Sequence, residues 1–208
     1  MSLNTNFSNH ANPCAISFQA AFKTEIPVKD AERLLNIKKL FAQKTQHYNS
    51  DTLTLTRSKD PCFSEYPILT ITDEIFAGDY KYAHIVDNFD ELMQSMTDRQ
   101  IVKKLINYFK IMKKEAEYDN YVKKTDNILE NLKRKIKAYK QGAENCAESG
   151  DEVFASRYRT IAQSIQGRIN SISAEKQQKT SKILSVIDKI AENEPDLDHV
   201  SGCLREIG

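Results

Sequence analysis

From residue 98 to about 191, apolar residues recur at steps of three and four, and almost nothing there suggests a strand. The first series is Ile101, Leu105, Tyr108, Met112, Ala116, then Val122, Leu129, Leu132, Ile136 and Tyr139. Such spacing puts the side chains in one stripe of an α-helix. Thr97-Asp98 supplies a starting cap and an acid in the first turn, Gly142 offers a stop, and Lys137 and Lys140 suit the negative end of the dipole. Between Glu115 and Asp126 the stripe is diluted by polar residues. The pattern favours one long, protruding helix with an exposed middle; a break near Asp119-Asn120 is the alternative. A second segment repeats the spacing with Phe154, Tyr158, Ile161, Ile165, Ile169 and Ile172. Ser149-Gly150-Asp151 before it is a turn and a capped start. A third, from about Ser173 to Ala191, carries Ile183, Leu184, Val186, Ile187 and Ile190 after a polar first half.

The front half reads differently. Asn12-Pro13-Cys14 followed by AISFQAAF predicts a helix start, with Asn12 as cap and Pro13 at the first position, ending by Pro27. A second helix is expected over 28–46. Three runs then alternate or cluster in strand fashion: 52–56, 68–72 and 80–86. Turn-rich connections at Lys59-Asp60-Pro61 and Ala77-Gly78-Asp79 suit an antiparallel meander, which needs a helical cover on one face. A short helix, 89–96, closes the unit. The expected fold class is mostly α (α+β): a small N-terminal unit of helices and a three-stranded antiparallel sheet over 1–97, then a long helical hairpin, bundle or coiled-coil hairpin over 98–208.

The string AESGDEVFASRYRTIA resembles the turn of a tetratricopeptide helix pair, with Gly150 and Asp151 at the turn and Ala155 and Tyr158 facing inward. No second copy occurs at the expected period of about 34 residues, so a single hairpin is expected rather than a solenoid.

Composition adds limits. With 40% hydrophobic residues the chain can bury a real core. No run approaches the roughly 18 uncharged apolar residues of a membrane span, and MSLNTNFSNHANP lacks the basic and apolar parts of a signal peptide. A soluble protein is expected. Cys14, Cys62, Cys146 and Cys203 are scattered without a CxxC pair, which points to reduced thiols and a reducing, cytoplasmic compartment.

Cys14 is the sharpest chemical candidate, because a thiol in the first turn of a helix feels partial positive charge that favours the thiolate. His84 on a strand is its candidate base and Asp87 a candidate orienting acid, although residues three apart on a strand point to opposite faces. The order Cys14, helices, strand, His84 resembles the layout of papain-like cysteine hydrolases, in chain order only. That resemblance implies a thiol-dependent hydrolase or transferase acting on a protein, with Cys14 as nucleophile and His84 as general base. No Cys-Trp pair, no glutamine ahead of Cys14 and no clear Asn or Asp on a following strand completes the family's pattern. The plain alternative is a buried Cys14 and a sheet-surface His84. His47, Cys62 and His84 lack the short spacing of a zinc site, and Asp73, Glu74, Asp79 and Asp87, which flank the strand ends and could serve a cation or acid–base chemistry, read more simply as solvated turn residues. GxxxxGK[ST], GxGxxG and GxSxG are absent, and no cofactor or metal is expected.

Charge is unevenly spread. From Arg99 to Lys140 there are 13 basic and 5 acidic residues, so this helix is near +8 and the rest of the chain near −7. Lys103-Lys104, Lys113-Lys114, Lys123-Lys124 and Lys133-Arg134-Lys135 could meet the phosphates of a nucleic acid or of anionic lipid. A solvated helix face paired with neighbouring helices is the alternative. Without a recognisable catalytic set, the stripe itself points to protein–protein contact through the long helices, with Tyr108, Phe109, Tyr118, Tyr121, Phe154 and Tyr158 as core or partner residues. At the C-terminus, Glu192-Asn193-Glu194-Pro195-Asp196 ends the last helix, and Leu197, Val200, Leu204 and Ile207 permit a short amphipathic one. An acidic patch ahead of a terminal apolar residue is similar to the translocation signals of bacterial type IV secretion substrates. That likeness implies an effector delivered to a host cell without an N-terminal signal peptide.

Overall fold

The computed structural model describes residues 20–48, 52–57, 67–72, 82–85 and 89–193. Its first element departs from the sequence expectation. Where Asn12-Pro13 predicts a helix lasting to Pro27, Ala21–Thr24 form a strand, β1. Ala20 and Phe22 are buried while Lys23 is exposed, the two-residue alternation of a strand with one covered face. Three apolar letters in a row, Ala20 to Phe22, hide that period.

β1 pairs in parallel with β2 (Thr52–Arg57), in the register Ala21↔Thr52 to Thr24↔Leu55. Parallel neighbours need a crossover, and α1 (Ala31–Lys44) supplies it. Asp30 caps α1 by accepting from the Arg33 N–H at 2.9 Å. The expected meander follows: β2, β3 (Pro67–Thr72) and β4 (Tyr82–Ile85) pair antiparallel, giving the sheet order β1-β2-β3-β4. The sheet therefore holds the three expected antiparallel strands and one parallel edge.

After α2 (Phe89–Ser95), Thr97 caps α3 in a reciprocal box with Gln100. α3 runs unbroken from Asp98 to Glu148, 51 residues or about 76 Å. Gly142 does not stop it. The stop lies at Gly150, whose φ of +81° only glycine adopts readily. There the Gly150 N–H donates to the Ala147 carbonyl and the Asp151 N–H to that of Cys146, a Schellman closure. Asp151 then caps α4 (Glu152–Ala191), accepting from the Phe154 N–H at 3.2 Å. The two segments expected at 154–172 and 173–191 are thus one helix of 40 residues. Its polar centre is held by α3: Lys176 donates to Asp126 at 2.6 Å, and the Lys179 ammonium lies 4.2 Å from the centre of the Tyr121 ring.

The main core lies at the base, where Phe22, Phe41, Leu53 and Leu69 meet Phe109 and Met112 of α3 and Ile183 and Ile187 of α4. It spans residue 97, joining sheet and hairpin in one apolar cluster. Phe41 and Phe109 pack edge to face with centroids 5.9 Å apart. Arg33 ties α1 to the start of α3, donating to Asp98 at 2.6 Å and to the Met96 carbonyl. Beyond the base, α3 and α4 continue as a hairpin arm with a small second cluster of Leu129, Ile136 and Ile169.

Candidate partner-binding arm

Along the arm, each helix contributes a seam at alternating steps of four and three. In α3 it is Thr125, Leu129, Leu132, Ile136, Tyr139 and Ala143; in α4 it is Ala155, Tyr158, Ala162, Ile165, Ile169 and Ile172. Every one is buried or half-buried. Near the tip the seam is lined by alanines, and a Cβ placed on Gly142 would lie 3.3 Å from the Tyr158 ring, so the backbones approach closely there.

This packing overturns part of the expected apolar face of α4. The spacing places Phe154 and Ile161 among its inward residues; they are 48% and 39% exposed, with Ala155 and Ala162 in the seam instead. Both stand one residue before a seam alanine. In α3 the equivalent positions, one before Leu129, Ile136 and Ala143, are Ile128, Lys135 and Gly142, and Ile128 is 49% exposed.

Equivalent positions of an antiparallel pair lie on the same side, because a two-fold axis perpendicular to the plane of the hairpin exchanges the helices without exchanging its faces. The Tyr121–Lys179 contact agrees with this, since Tyr121 is one seven-residue step before Ile128 and the exposed Lys179 stands just before the half-buried Thr180. One flank therefore carries Phe154, Ile161 and Ile128 with Lys135 and Arg168. The other, formed by residues one after the seam, carries Lys133, Lys140, Arg159, Gln166 and Ser173 and no apolar side chain. The arm has an apolar side and a polar side.

Its charge is also particular. Residues 131–143 of α3 hold Lys133, Arg134, Lys135, Lys137 and Lys140, and 153–174 of α4 hold Arg157, Arg159 and Arg168, with no Asp or Glu in either span. The tyrosine pair 139–158, with centroids 6.0 Å apart, puts the two spans side by side. Lys133 pairs with Glu130 at 3.0 Å and Arg159 with Glu152 at 2.5 Å, both exposed contacts to acids outside the spans. Arg157 lies over the Phe154 ring at 5.4 Å. Arg134, Lys135, Lys137, Lys140 and Arg168 have no partner among the described residues.

Nearer the base several lysines are engaged. Lys104 is buried, Lys113 stands over the Tyr48 and Phe109 rings, and Lys114 pairs with Glu117 at 2.6 Å. Tyr108 and Phe109 are buried core residues, and Tyr118 is half-buried against the same core. The neutralised helix face expected from the sequence thus describes much of the base, whereas in the arm Lys133 is paired with Glu130 and Arg134 and Lys135 are exposed. The arginines of α4 that complete the band escape a reading of α3 alone. Their signal is the 22-residue run from Val153 to Ala174 without a carboxylate.

Of the proposed thiol site, Cys14 and Asp87 lie outside the described residues, and the backbone of His84, on β4, pairs with Leu69 of β3. Cys62 also lies outside, and His47 is exposed after α1. Among the described residues no group of His, Cys, Asp and Glu could hold a metal ion, and no helix is long and apolar enough to cross a membrane. No protein-family model, curated protein or solved structure matches this chain.

Proposed function

We propose that the protein acts by contact, binding another protein along the arm, which serves as a two-stranded coiled coil with one face left for a partner. The observation that carries this reading is the asymmetry of the flanks: Ile128, Phe154 and Ile161 on one, only polar and charged side chains on the other. Solvated hairpins hold exposed apolar residues singly and on no particular side. Three on one flank form the stripe that helical partners bury.

The Phe154 flank also argues against nucleic acid as the main ligand. Phosphates would use the cations, but isoleucines have nothing to stack on or pair with. The test places a photo-cross-linking residue at position 161 or at position 166, in cells that make the protein. The expected result is a discrete protein adduct from position 161 and none from 166. Equal adducts from both flanks, or adducts to nucleic acid, overturn the reading.

A further inference from the structure

We infer that the occupant of this flank is an acidic amphipathic helix, which converts the two-helix arm into a three-helix bundle. This rests on the reading of the arm as a protein-contact surface, and it adds the chemistry and length of the partner.

The order of side chains along the flank sets the pattern. Phe154 and Ile161 are two turns, about 10 Å, apart, and between them Gly142 presents no side chain, leaving a notch floored by the Tyr158 ring. Beyond Ile161 come the cations, Lys135 from α3 and Arg168 from α4. Ile128 follows at the level of residue 172, about 27 Å from Phe154. A complementary helix therefore has about 18 residues, an apolar residue seated in the Gly142 notch, acids opposite Lys135 and Arg168, and a second apolar residue against Ile128. The acids are required because no carboxylate of the arm stands within the band to neutralise it.

Four other occupants fit less well. Two copies laid flank to flank in register bring Lys135 and Arg168 against the same cations, and a staggered pair is separated by the dependence of the shifts on protein concentration. The chain's own C-terminal residues 194–208 are acidic and amphipathic in sequence, but they start beside Asn193 at the base. Ile161 is 32 residues back along α4, about 48 Å, which fifteen residues reach only fully extended. The first 19 residues contain no Asp or Glu. An anionic membrane would meet Glu144, Glu148, Asp151 and Glu152 at the tip, where it would have to approach Phe154.

The test uses the full chain with labelled isoleucine methyls. It is titrated with a synthetic amphipathic peptide of about 18 residues bearing leucines on one stripe and glutamates on its borders, with a lysine-bordered twin, with phosphatidylserine vesicles and with duplex DNA. The expected result is saturable shifts of the Ile128 and Ile161 methyl signals, with the glutamate peptide binding at least about tenfold tighter than its twin. Lys135→Glu with Arg168→Glu reverses that order, and the neutral pair Lys135→Gln with Arg168→Gln abolishes it. Both variants change exposed residues, and unchanged helix content confirms their fold. Equal affinity for the twins, tighter binding to vesicles or DNA, or shifts that follow protein concentration alone overturn the inference. Failure here alongside flank-specific cross-links removes only the acidic helix; loss of the cross-links as well removes the contact reading.

Discussion

The base and the arm bury their apolar residues by different means. At the base, side chains from β1, α1, β2, β3, α2, α3 and α4 surround one another, and Phe41, Phe109 and Met112 reach zero exposure. In the arm two helices share a single seam, and its largest buried residues, Leu129, Ile136 and Ile169, keep 8–9% exposure because nothing among the described residues covers the seam from the sides. A helix pair can hide a stripe, whereas a closed core needs a third direction. The lesson is that the arm can extend from the base on a single seam but leaves apolar surface that no other described element covers.

The largest effect that would sharpen this contrast is expected at Phe109. Its ring meets Phe41 edge-on and Tyr48 with centroids 5.1 Å apart. Phe109→Ala leaves a cavity that neighbours from several elements cannot collapse, and about 3–5 kcal/mol of stability should be lost in urea unfolding. Amide exchange should then quicken in both base and arm. Ile136→Ala removes a seam residue with one open side, and a loss near the lower end of the usual range, about 2 kcal/mol, is expected. Its exchange signature is local: amides around 125–172 open faster while those of α1 and β2 are unchanged. Equal quickening of base and arm by Ile136→Ala would mean that the two are one cooperative unit.

The turn gives a smaller effect. Gly150 has space around it, with nothing within 4 Å of an added Cβ, but its φ of +81° does not suit an L side chain. Gly150→Ala should cost about 1 kcal/mol through the backbone alone, seen as faster exchange at the tip. Gly150→Asn, which tolerates this conformation better, should recover part of that loss. A neutral Gly150→Ala would show that the tip is frayed and does not hold the hairpin closed.

What the letters reveal follows the same division. Long stretches with steps of three and four announce helices, so α3 and the hairpin are legible, as are Thr97 and the Gly150 turn, while the polar centre of α4 makes one helix read as two segments. β1 is not. Ala20 and Phe22 sit in a run of apolar residues that fits either period, and only pairing with β2, about 30 residues away, selects the strand. Periodicity also cannot tell Phe154 from Ala155 as the inward residue. Both lie within the apolar arc, and the close approach at Gly142 and Tyr158, a property of the pair, decides for the smaller one. The site is legible as a basic stretch on one helix, but the flank needs two helices in register before it exists.

The smallest expected effect probes that register directly. Gly167 lies in the middle of α4 with nothing within 4 Å of an added methyl, so Gly167→Ala should gain the full helix-propensity difference of about 0.8–1 kcal/mol. Gly142 is also inside a helix, but its added methyl meets the Tyr158 ring at 3.3 Å, and that ring is held beside Tyr139. Part of the same gain is spent moving Tyr158, and Gly142→Ala should raise stability by less than about half as much. Comparing the two substitutions cancels the propensity term and leaves the crowding. Equal gains would mean that Tyr158 swings aside freely, so that no fixed notch separates Phe154 from Ile161. A smaller gain at Gly142, together with weaker peptide binding by that variant alone, would tie the tight seam at the tip to the surface a partner helix reads.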